Sequence, residues 1–257
     1  MAGPRVYIHE LIDVVGHHRA RYMHHVTANW GPIGQAQRGQ RCFGVWATVG
    51  STGRWPQVVN LWEYDDWAAL GRNFEIELTG DGLQDPDLEG WWAEAASMRS
   101  GGLDRILVAP PWSPSIDDLC RTGGRGAAGY VHELVTCRSG TASALLAAVR
   151  DEAVDRHGAA GLELVGAFER AMADDDEAML IWSFPAWSTW AAYESELSAR
   201  RGAITEWRRD VAELVAGWQR VAMADAPLSP LRTGRQPRVS DRRELAERPA
   251  SPPRSGD

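Results

Sequence analysis

The chain has no lysine: all 27 basic residues among its 257 are arginine. Without lysine there is no Schiff base to pyridoxal phosphate or to a carbonyl substrate, and no lysine-bearing phosphate loop. Cysteine is scarce as well. Cys42, Cys120 and Cys137 show no CxxC spacing, so neither a zinc knot nor a disulfide framework is indicated. No apolar run reaches the ~18 residues of a membrane span. The opening MAGPRVYIHELI has no long apolar core of the kind a signal peptide needs. Both absences point to a cytoplasmic protein. A net charge of -8 argues against nucleic acid as a partner.

What is abundant is tryptophan, 13 residues in an otherwise ordinary composition of 44% hydrophobic and 24% charged residues. Such rings belong in cores, pockets or interfaces. The chain also echoes itself. VYIHELIDV at residues 6–14 returns as GYVHELVTC at 129–137. Gly44 and Trp46 stand over Gly166 and Phe168. Trp62, Tyr64 and Trp67 stand over Trp182, Phe184 and Trp187, and Arg105 over Arg220. A repeat this long is no solenoid unit, so each copy reads as a small domain.

Each copy alternates strand-like and helix-like periods in the order βαββαβ, the ferredoxin-like split motif. In the first copy a helix from His17 to Asn29 is closed by Gly31-Pro32, and the last strand is Ile106 to Ala109. The domains are 1–112, a linker at 113–128, 129–226, and a Pro- and Arg-rich tail at 227–257 whose composition predicts disorder. A βαββαβ sheet carries helices on one face only, and a second copy would cover the bare face. The fold class is therefore α+β, two such repeats closing one pseudo-dimeric barrel.

The runs YIHELIDV and FGVWATVGSTGRWPQVVNLWEYDDW resemble the NIPSNAP family of the dimeric α+β barrel superfamily. The likeness rests on Glu10-Leu11, Gly44-Val45-Trp46 and Leu61-Trp62-Glu63-Tyr64. The second copy keeps less of it, with Phe168 and Phe184 in place of Trp and Tyr. The resemblance implies the barrel fold. It implies little about activity, since the superfamily holds binding proteins, cofactor-free oxygenases, cyclases, isomerases and haem enzymes.

Strand alternation puts Tyr7, His9 and Leu11 on one face and Val6, Ile8, Glu10 and Ile12 on the other. The more apolar set packs on helices, so Tyr7 and His9 point into the barrel, as do Tyr130 and His132. Trp46, Trp62, Tyr64, Phe168, Trp182 and Phe184 are expected to add walls. The catalytic candidates are His9 as base, Tyr7 and Tyr64 as orienting hydroxyls, and His132. The ligand-binding candidates are Trp46, Trp62, Tyr130, Phe168, Trp182 and Phe184. Neutral imidazole beside phenol suits cyclisation, isomerisation or oxygenation of a hydrophobic aromatic or polyketide-like molecule. Glu10 and Glu133 face the other way and are expected to hold a helix or loop, through an arginine.

Neither a metal nor a cofactor is called for. His17, His18, His24 and His25 crowd one helix face, which is expected to be a solvated face, with haem as the third reading. The acidic run 174–177 reads as a solvated turn. The Gly-rich TGGRGAAG precedes a strand and is no dinucleotide fingerprint. The rival to an enzyme is a non-catalytic binding or scaffolding protein with a solid barrel. A homodimer is compatible with either.

Overall fold

A computed structural model describes residues 3–121, 123–124 and 126–244. Eight antiparallel strands close into a barrel: β1 (Val6–Val14), β2 (Arg41–Thr48), β3 (Gln57–Tyr64), β4 (Arg99–Val108), β5 (Gly129–Cys137), β6 (Glu163–Arg170), β7 (Glu177–Phe184) and β8 (Val215–Asp225). Round the barrel they run β4-β1-β3-β2-β8-β5-β7-β6. Each half of the chain thus contributes one four-stranded sheet with its first strand inside. Two short seams join the sheets. β2 meets β8 from Trp46↔Asp225 to Thr48↔Met223, and β4 meets β6 at Leu107↔Arg170 and Val108↔Glu169.

Helices cover the outside. In the first half these are α1 (Arg19–His24), α2 (Gly31–Arg38), α3 (Trp67–Glu77) and α4 (Pro86–Ala95). A π-helical stretch, His25–Trp30, carries α1 into α2. The helix therefore does not stop at Gly31-Pro32 as predicted. Pro32, which has no N–H to donate, falls where the π-helical stretch passes into α2 and leaves the helix unbroken. Caps start both helices: Asp66 accepts from the Ala69 N–H at 2.8 Å ahead of α3, and Asp85 from the Leu88 N–H at 2.9 Å ahead of α4. The second half carries α6 (Ala142–Ala148), α7 (Val154–Ala159), α8 (Trp187–Ser198) and α9 (Gly202–Asp210). β4 is also longer than the predicted Ile106–Ala109, because its first residues pair with the end of β1.

The core has three parts, one under each helical layer and one in the lumen. One end of the lumen is plugged by α5 (Ile116–Cys120) and α10 (Pro230–Thr233), whose Ile116, Leu119 and Leu231 join the lumen cluster. The stretch read as a linker thus contributes a stopper. Composition also misled about the tail up to residue 244. Gln236 donates its amide to the Cys42 carbonyl at 2.8 Å and accepts from the Cys42 N–H at 2.9 Å, standing in for a strand neighbour. Arg242 donates to the Ala28 carbonyl at 3.2 Å. These partners are about 190 residues away or more in sequence, which local composition does not register. The rest of the predicted tail, 245–257, lies outside the described residues.

The glycines of the Gly-x-aromatic echo have a steric purpose. Residues i and i+2 share a strand face, and the Trp46 ring lies back over Gly44. A Cβ at Gly44 would come within 2.2 Å of Trp46, and one at Gly166 within 2.5 Å of Phe168. Both strands carry a register shift at this point. Gly44→Ala should cost on the order of 1–3 kcal/mol by overpacking. A melting curve superimposable on the wild type would contradict this steric role.

Candidate functional site

The lumen is lined from odd positions of β1 and even positions of β5. Tyr7, His9, Tyr130 and His132 all point inward, with Phe43, Trp46, Leu61, Phe168 and Ile181 around them. The rings meet edge to face in two groups. Tyr7, Phe43 and Phe168 form one, with centroids 4.8 to 5.9 Å apart. Trp46 forms the other, 5.9 Å from Tyr130 and 4.7 Å from His132.

Four of the expected site residues lie elsewhere. Trp62 and Tyr64 pack beneath the first half's helices, and Trp182 and Phe184 beneath the second's. On β3 the lumen face belongs to Val59, Leu61 and Glu63. Both faces of β3 and β7 are buried, so a period of two leaves the choice of face open. Tyr64 therefore has no access to a lumen substrate. The repeat anchor of Arg105 over Arg220 is also displaced by one. Arg105 pairs in register with His9 on the lumen face, whereas Arg220 pairs with Glu133 on the helix face.

Tyr7 reaches the lumen, but its hydroxyl is occupied. It donates to Glu63 Oε2 at 2.7 Å and accepts from Arg5 at 3.2 Å. Burial, followed by the charge of Glu63, pushes the phenol's pKa up. Glu63 is fully buried and accepts in addition from the Ile116 N–H and Arg41. Desolvation raises its pKa. The Tyr7 hydroxyl thus anchors the stoppered end and is not free to orient a substrate. Glu63 does not stand out in the sequence, because it sits between Trp62 and Tyr64. Tyr130 faces Asp225 at 3.4 Å, and Arg232 holds that carboxylate.

Midway along the lumen four polar atoms lack a hydrogen-bond partner among the described residues. Both ring nitrogens of His9, Nε2 of His132 and Nε1 of Trp46 are buried with no hydrogen bond. Burial lowers the His9 pKa, with help from Arg105 and His132, and burial alone takes His132 to about 3. Both imidazoles are therefore neutral at pH 7. Beyond them, at the end away from the stopper, Leu11 and Leu134 are only partly buried and Leu103 is exposed. The turn between β2 and β3 leans over this mouth, where Arg54 binds Asp13 at 2.6 and 2.8 Å.

On the outer face the echoed Glu and Trp prove to be bonding partners. Trp62 Nε1 donates to Glu10 at 2.9 Å, and Trp182 Nε1 to Glu133 at 2.9 Å. The surroundings then differ. Glu133 is closed in by Arg208, by Tyr193, and by His157 stacked at 4.0 Å on Trp182. Burial is the largest single influence and works against ionisation there, but the Arg208 charge, His157, the Trp182 hydrogen bond and the Arg220 charge together outweigh it, and the carboxyl's pKa is lowered. The expected arginine is thus present in this half. Glu10 has none in ion-pair contact among the described residues. Its helix-side companions are Asn60 and Trp62, and its register partner on β4 is Asp104. Burial and the Asp104 charge raise Glu10 to about 7.

The histidine-rich helix is only in part the solvated face expected, since His25 is buried. His25 is stacked on Trp91 at 4.9 Å, with Nε2 at the Trp91 carbonyl and Nδ1 at Asn29, so both nitrogens are engaged. His17 and His18 stack on each other, and His24 accepts from the Arg243 N–H. Among the described residues no three His, Cys, Asp or Glu side chains are arranged to hold a metal ion. The acidic run caps a helix: the Asp175 carboxylate accepts from Ser143 at the start of α6, and Glu177 pairs with Arg105 and Arg170. No helix among the described residues is long and apolar enough to cross a membrane.

No family model matches the chain, and no curated protein matches it. Solved structures do. A candidate monooxygenase from Fusobacterium nucleatum aligns over 88% of this chain and 94% of its own, at 10% identity and a TM-score of 0.57. Another, from Lactobacillus acidophilus, covers 89% and 97%, at 10% identity and a TM-score of 0.58. A NIPSNAP-like domain protein from Burkholderia xenovorans aligns with 43% of this chain and 90% of its own, at 20% identity and a TM-score of 0.35. At these identities the two full-length alignments establish an α+β barrel fold shared along nearly the whole chain, and nothing finer.

Proposed function

We propose that the chain is a tandem NIPSNAP-type duplication folded as a pseudo-dimer, and that its lumen is a cofactor-independent reaction chamber for a small hydrophobic molecule. The observation that carries this reading is the convergence of unpartnered polar atoms from His9, His132 and Trp46 at the lumen's middle. A buried donor or acceptor left unsatisfied costs about 1–3 kcal/mol. A guest oxygen accepting from Trp46 and from one imidazole would remove that cost. The aromatic walls select a flat apolar body, and the partly exposed Leu11 and Leu134 mark its entrance.

The chemistry is proton transfer at an enolisable or phenolic substrate, leading to cyclisation or isomerisation, or to oxygenation with dioxygen as co-substrate and oxidant. Desolvation makes the free imidazoles weak bases. A substrate oxyanion formed beside His9 attracts the proton that His9 has just accepted, and so restores its basicity. Arg105, the register partner of His9, lies close enough to lower His9's pKa and to favour the same anion. The ring-on-ring contacts favour a second reading, a solid barrel that binds nothing.

Titration with a panel of naphthols and cyclic diketones separates the two. A chamber gives saturable tryptophan quenching together with shifts of the His9 and His132 ring nitrogens in NMR spectra. His9→Leu and His132→Leu should abolish both while leaving the fold intact. If no compound moves these signals and the leucine variants simply melt higher, the chamber does not exist.

A further inference from the structure

A cleft of about 380 Å³ on the outer surface, between α9 and the start of β8, is lined by Arg200, Arg208 and Arg209 and by no carboxylate. The chain as a whole has 35 acids against 27 bases, so this is a local inversion of charge. The fold accounts for one of the three arginines. Arg208 holds Glu133 and lies over the Trp218 ring at 4.5 Å. Arg200 and Arg209 are exposed and form no ion pair among the described residues; Arg209 donates only to the Arg200 carbonyl.

A second observation is independent of charge. Thr205, which lines the cleft, is 9% exposed, and its hydroxyl has no hydrogen-bond partner among the described residues. A threonine on a helix ordinarily turns its hydroxyl to a carbonyl one turn back. The Arg208 Nε–H is likewise buried and unpartnered. The remaining wall is Trp218, Val215 and Ala216. The cleft therefore combines two uncommitted guanidinium groups and an apolar side, with two unused hydrogen-bonding groups buried in its wall.

We propose that this cleft binds the phosphoryl group of a small organic phosphate, with the apolar body of the ligand against Trp218. Guanidinium forks match phosphate oxygens in pairs. A phosphate monoester carries close to two negative charges at pH 7, which suits two free arginines better than a single carboxylate charge does. The site is independent of the lumen.

The test is titration of the full chain with phenyl phosphate, inorganic phosphate and benzoate, followed by calorimetry and tryptophan emission. Phenyl phosphate should bind saturably with a Kd below about 1 mM, and more weakly as salt is raised. The exposed pair Arg200→Ala/Arg209→Ala should weaken it at least about tenfold, and Thr205→Val roughly three- to tenfold, with unchanged circular dichroism. Benzoate binding as tightly would overturn the phosphoryl assignment. Inorganic phosphate binding as tightly would overturn the role of Trp218. An absence of saturation, or an affinity untouched in the double variant, would overturn the site.

Discussion

Arg208→Ala should destabilise the fold by about 3–5 kcal/mol, the range for removing one partner of a buried ion pair. The Arg208 side chain is 14% exposed and Glu133 is fully buried. Without the guanidinium, Glu133 keeps the Trp182 indole N–H and the Tyr193 hydroxyl but no cation in contact. It must then take up a proton or admit water. The loss of packing over Trp218 adds to the cost. A melting temperature lowered by roughly 6–20 °C is expected for a chain of this size. Glu133→Gln in the Arg208→Ala background should recover part of the loss, because an amide needs no counter-charge. A variant melting within about 2 °C of wild type would show that the pair is dispensable.

Asp104→Arg should act in the opposite direction. Glu10 and Asp104 are directly opposed across β1 and β4, and like charges so placed repel. At the matching place in the other half, Glu133 is opposed by Arg220. Glu10 also borders an outer cleft of about 370 Å³ that includes Asp104 and Glu77. Its folded pKa of about 7 lies above the ordinary carboxyl value of 4.5. The folded state therefore holds this proton more tightly than the unfolded chain does. The resulting stability is fully present below about pH 4.5 and is lost as pH rises through 7, up to about 3 kcal/mol in all. Asp104→Arg replaces the repulsion with attraction. It should raise stability at pH 8 by on the order of 1–3 kcal/mol and flatten the profile between pH 5 and pH 8. Asp104→Asn should give an intermediate result. Denaturant melts at several pH values provide the check; an Asp104→Asn profile that overlays the wild type would show that Asp104 has no part in the shift.

Both effects arise from one motif, Tyr-x-His-Glu-Leu, written twice. Its outward Glu and inward His are legible from alternation, because β1 and β5 each place a less polar set against the helices. The partners are not. Nothing local says that Glu133 will meet Arg208, or that Glu10 will meet Asp104, since those pairings depend on where α9 and β4 return to the sheet. Trp62 and Trp182 show the same limit: strands buried on both faces carry no contrast from which to choose a side. Gly44 and Gly166 stand out as an echo, but their reason, room for a ring two residues on, is visible only with the ring in place.

The sequence by itself determined the order of the eight strands, the inward direction of Tyr7, His9, Tyr130 and His132, and the absence of lysine chemistry, because these depend on residue type and short-range period. Tertiary structure alone decided that the Tyr7 hydroxyl is engaged by Glu63, that His9 and His132 have orphaned ring nitrogens, and that residues 226–244 pack on the first half. Those outcomes depend on contacts between segments far apart in the chain, whose energies no local pattern encodes.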